Sequence, residues 1–165
     1  MWEPSLIYSK FILRQPTILF GLNAINGLIT YPMSKTLIIH GKSLNEDYKN
    51  QIFKSLSAFK LKFVEKSWEG EPNLSDLKKN LSVVENFNPD IIIAIGGGSV
   101  IDGAKMVRTY FEFPFIDHSE PKFFMLNWKT KFIAIPTTIG SGAEISSSSV
   151  MFNKKHKTKE FIINH

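Results

Sequence analysis

Residues 90–105 read DIIIAIGGGSVIDGAK: a short apolar run breaks into three glycines and a serine, and the residues after them have helical spacing. Ile91, Ile92, Ile93, Ala94 and Ile95 are apolar at every position rather than alternating, the pattern of a strand covered on both faces of an α/β sheet. Gly96, Gly97 and Gly98 then fall at its carboxyl end. Lacking Cβ atoms, they let an anion approach the backbone N–H groups, and a helix starting there adds the positive end of its dipole. Ala104, Met106, Val107 and Tyr110 continue an apolar face, so a helix over 99–111 is expected, with Ser99 and Asp102 as a capping pair in its first turn. The same triplet also suits a tight strand-to-helix turn that holds no ligand.

Two familiar phosphate motifs fail here. The dinucleotide fingerprint GxGxxG, started at Gly96, needs glycine or alanine where Ile101 stands. The P-loop GxxxxGK, taken from Gly98 through Gly103, needs lysine where Ala104 stands, and Lys105 comes one place late. Any phosphate bound at this turn is held by a related logic.

With 165 residues, 43% hydrophobic and 21% charged, the chain is long enough for a single domain with its own core, and one domain over 1–165 is expected. The formal charge is +5, but basic residues are spread along the chain apart from Lys154, Lys155, Lys157 and Lys159, so nucleic acid is not an expected partner. No apolar run approaches the roughly 18 residues of a membrane span, and residues 1–15 hold no uninterrupted apolar core of signal-peptide type. A cytoplasmic location is the default expectation. The absence of cysteine excludes disulfides, thiolate metal sites and cysteine nucleophiles.

Outward from the glycine turn, strands and helices alternate. Strands are expected at 17–20, 36–39, 61–64, 91–95 and 132–135, and helices at 23–31, 44–59 and 74–87, the last opened by Pro72 and Asn73 and closed by Pro89. Ile52, Phe53, Leu56 and Phe59 mark the apolar face of the second helix, and Leu74, Leu77, Leu81, Val84 and Phe87 that of the third. Residues 114–129 lack periodicity and are expected to form an irregular connection. Residues 150–152 and 161–163 are expected to pair as a hairpin across the lysine-rich turn. This order implies an α/β, Rossmann-like fold: a mostly parallel sheet with helices on both faces, plus a C-terminal β-hairpin. In such sheets ligands bind outside the carboxyl ends of the strands, so residues 40–43, 96–99 and 137–142 should converge on one crevice.

GGGSVIDGAK, followed some thirty residues later by IPTTIGSGAE, resembles the iron-containing (group III) alcohol dehydrogenases of the dehydroquinate synthase-like superfamily. QPTILFG and TLIIHGKSL resemble the same family's first strands, so the likeness covers nearly all of this chain but only the front of the family's length. The resemblance implies that Gly96, Gly97, Gly98 and Ser99 hold a cofactor pyrophosphate. It also implies that Asp102 lies near the nicotinamide side, that Thr137 and Thr138 contact the adenosine half, and that Lys159 is the family lysine in the hairpin. Helix capping by Asp102, a solvated charge at Lys159 and a proline-started turn at Thr137 and Thr138 are the plain alternatives. The family's second motif reads PTTxGTGSE. Here Ser141 replaces the threonine and keeps a hydroxyl, whereas Ala143 replaces the serine and removes a donor and an acceptor.

An acidic residue after the second strand, 36–39, would bond the ribose 2′-OH of NAD and repel the 2′-phosphate of NADP. Gly41 stands where NAD-using relatives carry aspartate, and Lys42 and Ser43 follow, so NADP is the expected cofactor over NAD. The family binds iron, or sometimes zinc, through an aspartate and three histidines in a helical second domain. That domain is expected to be absent from these 165 residues, leaving no metal ligand and no catalytic residue to assign. His40, His118, His156 and His165 are dispersed and are expected at the surface. The resemblance implies an NAD(P)-dependent oxidoreductase acting on a small alcohol or aldehyde, inactive without its metal-binding half. The alternatives are a non-catalytic nucleotide-binding remnant, one subunit of a split enzyme, or a sugar-phosphate dehydrogenase or lyase of the same superfamily. Exposed apolar surface left by a missing domain would favour a homo-oligomer or a complementary chain.

Overall fold

The computed structural model describes residues 16–21, 24–30, 35–57, 59–115 and 128–163. A 3-10 segment, Ala24–Thr30, precedes β1 (Lys35–His40), α1 (Glu46–Ser55), β2 (Lys60–Glu65), α2 (Leu74–Phe87), β3 (Ile91–Gly96), α3 (Gly98–Glu112) and β4 (Lys131–Pro136). A hairpin of β5 (Ser148–Asn153) and β6 (Thr158–Ile163) follows. The first four strands form one parallel sheet in the order β2-β1-β3-β4, and β5 pairs antiparallel with β6 in a separate ribbon.

The apolar runs of β1 and β3 explain why these strands are central. Leu37, Ile39, Ile92 and Ala94 point to one face, against Trp68, Leu77, Val84 and the inner side of α3. Ile38, Ile91, Ile93 and Ile95 point to the other, against Leu28, Ile52 and Leu56. Each is buried, and burying one such side chain contributes about 1.5–3 kcal/mol. Helices α2 and α3 with the hairpin cover the first face, and α1 with the 3-10 segment the second. The fold expected from the sequence is therefore the one observed.

The helix ends are written in polar residues. Asn45 caps α1 by accepting the Tyr48 N–H at 2.8 Å, and Asn73 caps α2 by accepting the Asp76 N–H at 3.2 Å. Asn88 ends α2 in the left-handed region at φ 49°, its N–H bonded to the Val84 carbonyl at 2.7 Å. The cap of α3 is Gly97, without a side-chain bond, so Ser99 and Asp102 lie inside the helix and do not form the expected capping pair.

Other expectations shift. Residues 17–20 are not a strand: they are exposed coil, with Ile18 and Phe20 at 70% and 98% of full exposure. A short apolar run carries no information on whether a sheet edge is open to it. The helix expected over 23–31 is the shorter 3-10 segment. The helix expected over 44–59 is cut to 46–55 by the Asn45 cap at one end and by Leu56 at the other. Phe53 lies off its buried face, and Leu74, at the start of α2, is half exposed. Of the irregular connection, residues 116–127 lie outside the described residues.

Candidate nucleotide-binding crevice

The chain leaves β1, turns over one face to β2, then crosses back to β3 on the other side of β1. The order therefore reverses between β1 and β3, and a crevice opens at their carboxyl ends. A cavity of about 260 Å³ lies there, lined by Gly41, Ser43, Leu44, Asn45, Tyr48, Ile95, Gly96 and Thr137. That is below the roughly 300–1,000 Å³ of sites that enclose a drug-sized ligand, so it suits part of a dinucleotide, with the remainder lying along the surface.

Backbone bonds hold the three loop ends together. The Gly41 N–H donates to the Ile95 carbonyl at 3.2 Å, and the Thr137 N–H to the Gly96 carbonyl at 3.0 Å. Residues 40–43, 96–99 and 137–142 thus converge as expected. Side chains of the 137–142 loop face two of the glycines closely. A Cβ on Gly97 would stand 2.9 Å from Thr138 Oγ1, and one on Gly98 would stand 2.8 Å from Ser141 Cβ. Thr138 and Ser141 therefore seat the PTTIGSG loop directly on the glycine turn, above the start of α3.

Ser99, Asp102 and Lys159 sit on another side of the glycine turn, facing the segment after β2 and the hairpin. Ser99 Oγ donates to the Gly70 carbonyl and receives the Trp68 indole N–H at 3.2 Å and Lys66 Nζ at 3.4 Å. Asp102 accepts the Val150 N–H at 3.2 Å and lies 4.0 Å from Lys105 Nζ. Burial pushes the Asp102 carboxyl above its ordinary range, with Val150 and Lys105 opposing. Lys105 is itself buried, which lowers its ammonium against the pull of Asp102 and Glu144. Its Nζ donates to the carbonyls of Ser146 and Ser148 at 2.7 and 2.9 Å, pinning the serine run and β5 to α3. Lys159, exposed on β6, pairs with Glu71 at 2.5 Å.

Lys42 lies in the chain between the lining residues Gly41 and Ser43 and is ion-paired with Glu69 from the β2–α2 connection. The hydrogen bond and charge of Glu69 raise the Lys42 ammonium, and Lys42 in turn lowers the Glu69 carboxyl.

The sequence reading missed residues 66–71, which lie between the crevice and the hairpin and carry Lys66, Trp68, Glu69, Gly70 and Glu71. Their signal was available: they follow the carboxyl end of β2, and Gly70, at φ +56°, separates two acids. Leu44, Asn45 and Tyr48 were likewise read only as helix. Of the histidines expected at the surface, His156 is exposed, whereas His40 is buried, its Nδ1–H donating to the Gly41 carbonyl at 2.9 Å. His40 ends the central strand β1, and its ring packs edge-on against Phe63. His118 and His165 lie outside the described residues. Among the described residues no three His, Asp or Glu side chains gather where a metal ion could be held, so they offer no ligand set for iron or zinc. No described helix is long and apolar enough to cross a membrane.

Comparison with known proteins adds the family. The sequence model of iron-containing alcohol dehydrogenase matches residues 15–165. The bifunctional aldehyde-alcohol dehydrogenase AdhE of Escherichia coli K12 is 33% identical over 144 residues, covering 78% of this chain and 16% of that protein. The NADPH-dependent butanol dehydrogenase of Clostridium saccharobutylicum is 38% identical over 95 residues, 55% of this chain and 24% of that protein. The crystal structure of sulfoacetaldehyde reductase from Bifidobacterium kashiwanohense in complex with NAD+ superposes with a TM-score of 0.75 at 22% identity, over 91% of this chain and 42% of the other. This chain thus spans less than half the length of each of these proteins. With the family match over nearly its whole length and the family's parallel-sheet fold, the chain belongs to the iron-containing alcohol dehydrogenase family.

Proposed function

We propose that this chain binds a nicotinamide dinucleotide across the carboxyl ends of β1, β3 and β4, as the cofactor-binding part of an oxidoreductase acting on a small alcohol or aldehyde. The observation that carries the reading is the convergence of three loop ends on one cavity at the point where the strand order reverses, with a glycine turn and the start of α3 beside it. In this reading the adenosine ribose lies by Gly41, Ser43 and Thr137. The pyrophosphate meets the backbone of Gly96, Gly97, Gly98 and Ser99, beside Thr138 and Ser141. The nicotinamide half extends toward Asp102 and Lys159. A nicotinamide cofactor supplies hydride transfer; the residues of this chain bind and orient it. The described residues hold no metal ligand set, so the alcohol-handling chemistry is assigned to the whole protein and not to them. Exposed Ile139 and Ile145, beside the crevice, support a further domain, a complementary chain or a second copy covering this edge.

NADP is the proposed cofactor over NAD, because Gly41 offers no carboxylate to a ribose 2′-OH and Lys42 and Ser43 stand beside it. The NADPH-dependent butanol dehydrogenase is a relative with that preference, and the NAD+ complex of sulfoacetaldehyde reductase is a neighbour of the same fold with the other cofactor. Fluorescence titration of the purified chain with NADPH and NADH tests the proposal. Tighter NADPH binding is expected, and Gly41→Asp should reverse the order. That substitution is tolerated sterically, since a Cβ there comes only within 3.4 Å of Val100. Equal or tighter NADH binding by the unaltered chain would overturn the NADP assignment, and binding of neither would overturn the whole reading.

A further inference from the structure

We propose that Glu69 is a specificity-determining residue of this crevice: by holding Lys42 in an ion pair it competes with a cofactor 2′-phosphate and narrows the preference for NADPH over NADH. The inference rests on the dinucleotide reading above and deepens it.

The argument starts from the topology. β1 and β2 are parallel neighbours, and His40 is aligned with Glu65 at their carboxyl ends. The loops that follow the two strands therefore emerge side by side. One brings Gly41 and Ser43 to the cavity wall with Lys42 between them in the chain, and the other brings Glu69 to Lys42. The Lys66 N–H donates to the His40 carbonyl at 2.9 Å, which fixes the second loop against the first at its root. Glu65 adds a second negative charge to the field at Lys42, and Lys66 a positive one to the field at Glu69.

Rossmann-type sites that select NAD place an acid at the carboxyl end of the strand next to the glycine-turn strand, where it accepts the 2′-OH and repels a 2′-phosphate. This chain has glycine at that position and an acid arriving from the neighbouring loop. A dianionic 2′-phosphate approaching Ser43 needs Lys42 as its cation, and Lys42 is engaged by Glu69. The phosphate has to displace a carboxylate, which lowers its gain relative to a 2′-OH that makes no demand on Lys42. Both side chains are largely exposed, 62% for Lys42 and 79% for Glu69, so the exchange needs only side-chain rotation and the energies involved are those of a solvated pair.

The test is a set of dissociation constants for NADPH and NADH, read by nicotinamide fluorescence, on the unaltered chain, Glu69→Gln and Lys42→Met. Glu69→Gln is expected to tighten NADPH by about two- to fivefold, the scale of an exposed charge pair, and to leave NADH unchanged. The gain should shrink as salt rises from roughly 0.05 to 0.5 M. Lys42→Met should weaken NADPH selectively and abolish most of the Glu69→Gln gain in the double variant. Because Glu69 is exposed, a merely structural role would alter both cofactors alike or neither. An unchanged NADPH to NADH ratio in Glu69→Gln overturns the inference while leaving the dinucleotide reading intact. Tighter NADH binding by the unaltered chain overturns the NADP assignment, while the shift in the ratio still reads the role of Glu69. Failure of every chain to bind either cofactor removes both.

Discussion

Gly103 is where the glycine-rich stretch meets the fold most sharply, and replacing it with alanine tests whether the packing beneath the crevice is correctly described. A Cβ at this position would lie 2.1, 2.5 and 2.7 Å from Cζ2, Cε2 and Cη2 of Trp68. Carbon atoms in contact prefer about 3.5–4.0 Å, so the indole would have to retreat by about 1.4 Å or more. It has nowhere to go: Trp68 is 1% exposed, and its N–H is shared between the Ser99 carbonyl at 3.0 Å and the Ser99 hydroxyl at 3.2 Å. Overpacking of a core costs about 1–3 kcal/mol, and three contacts this short belong at the upper end. Against that, alanine in place of glycine inside a helix gains up to about 1 kcal/mol. The net loss is therefore about 2 kcal/mol, or roughly 4–8 °C in Tm for a chain of this size. Urea unfolding followed by far-UV circular dichroism measures it. Trp68→Phe removes the clashing ring atoms, so the double variant should be more stable than the sum of the two single effects by at least about 1 kcal/mol. A Gly103→Ala chain as stable as the original, or additivity in the cycle, would refute the packing argument.

Three further outcomes rest on polar groups of α3 and the hairpin. Lys105→Met keeps the aliphatic stem but leaves the Ser146 and Ser148 carbonyls and Asp102 without their cation, and should lower stability by about 3 kcal/mol in urea unfolding, with the loss concentrated in amide protection of β5. Unchanged β5 protection would contradict that role. Burial and the nearby Glu160 push the Tyr110 hydroxyl up to about 12 from 10.0, so its contribution to stability is complete below pH 10 and is lost as pH climbs toward 12. Tyr110→Phe should therefore lose less stability than the original across that window in urea midpoints taken at successive pH values; parallel losses would dismiss the assignment. Lys159→Ala, which removes an exposed pair with Glu71, should change stability by less than about 1 kcal/mol, and a larger loss would mean that the lysine anchors the hairpin.

The sheet was legible because its two central strands are apolar at consecutive positions, a pattern that only burial on both faces explains, and because each carboxyl end is marked by glycine or a polar turn. The order of elements then implied parallel pairing, and the carboxyl-end rule brought 40–43, 96–99 and 137–142 together. Residues 17–20 misled because three apolar residues after a threonine specify neither strand nor partner. Phe53 misled because an exposed aromatic beside Ile52 completes a helical face on paper. The segment 66–71 was legible only in its place after β2; the partners that give its side chains their roles were not. Trp68 owes its place to Gly103, thirty-five positions later, and Glu69 and Glu71 to lysines on other elements, so no local spacing announces them. The same holds for Gly97 and Gly98. Their sequence suggested an anion turn, whereas the structure adds that Thr138 and Ser141 occupy the space their side chains would take.

The most direct test of the central claim is amide hydrogen exchange of the chain with and without saturating NADPH, resolved to short peptides. The account predicts slowed exchange in peptides spanning 41–45, 96–100 and 137–142 together, with the lysine-rich turn at 154–157 unchanged. Slowing confined to a single one of the three loops, or none in any of them while the rest of the chain stays protected, would contradict the reading of this crevice as a dinucleotide site.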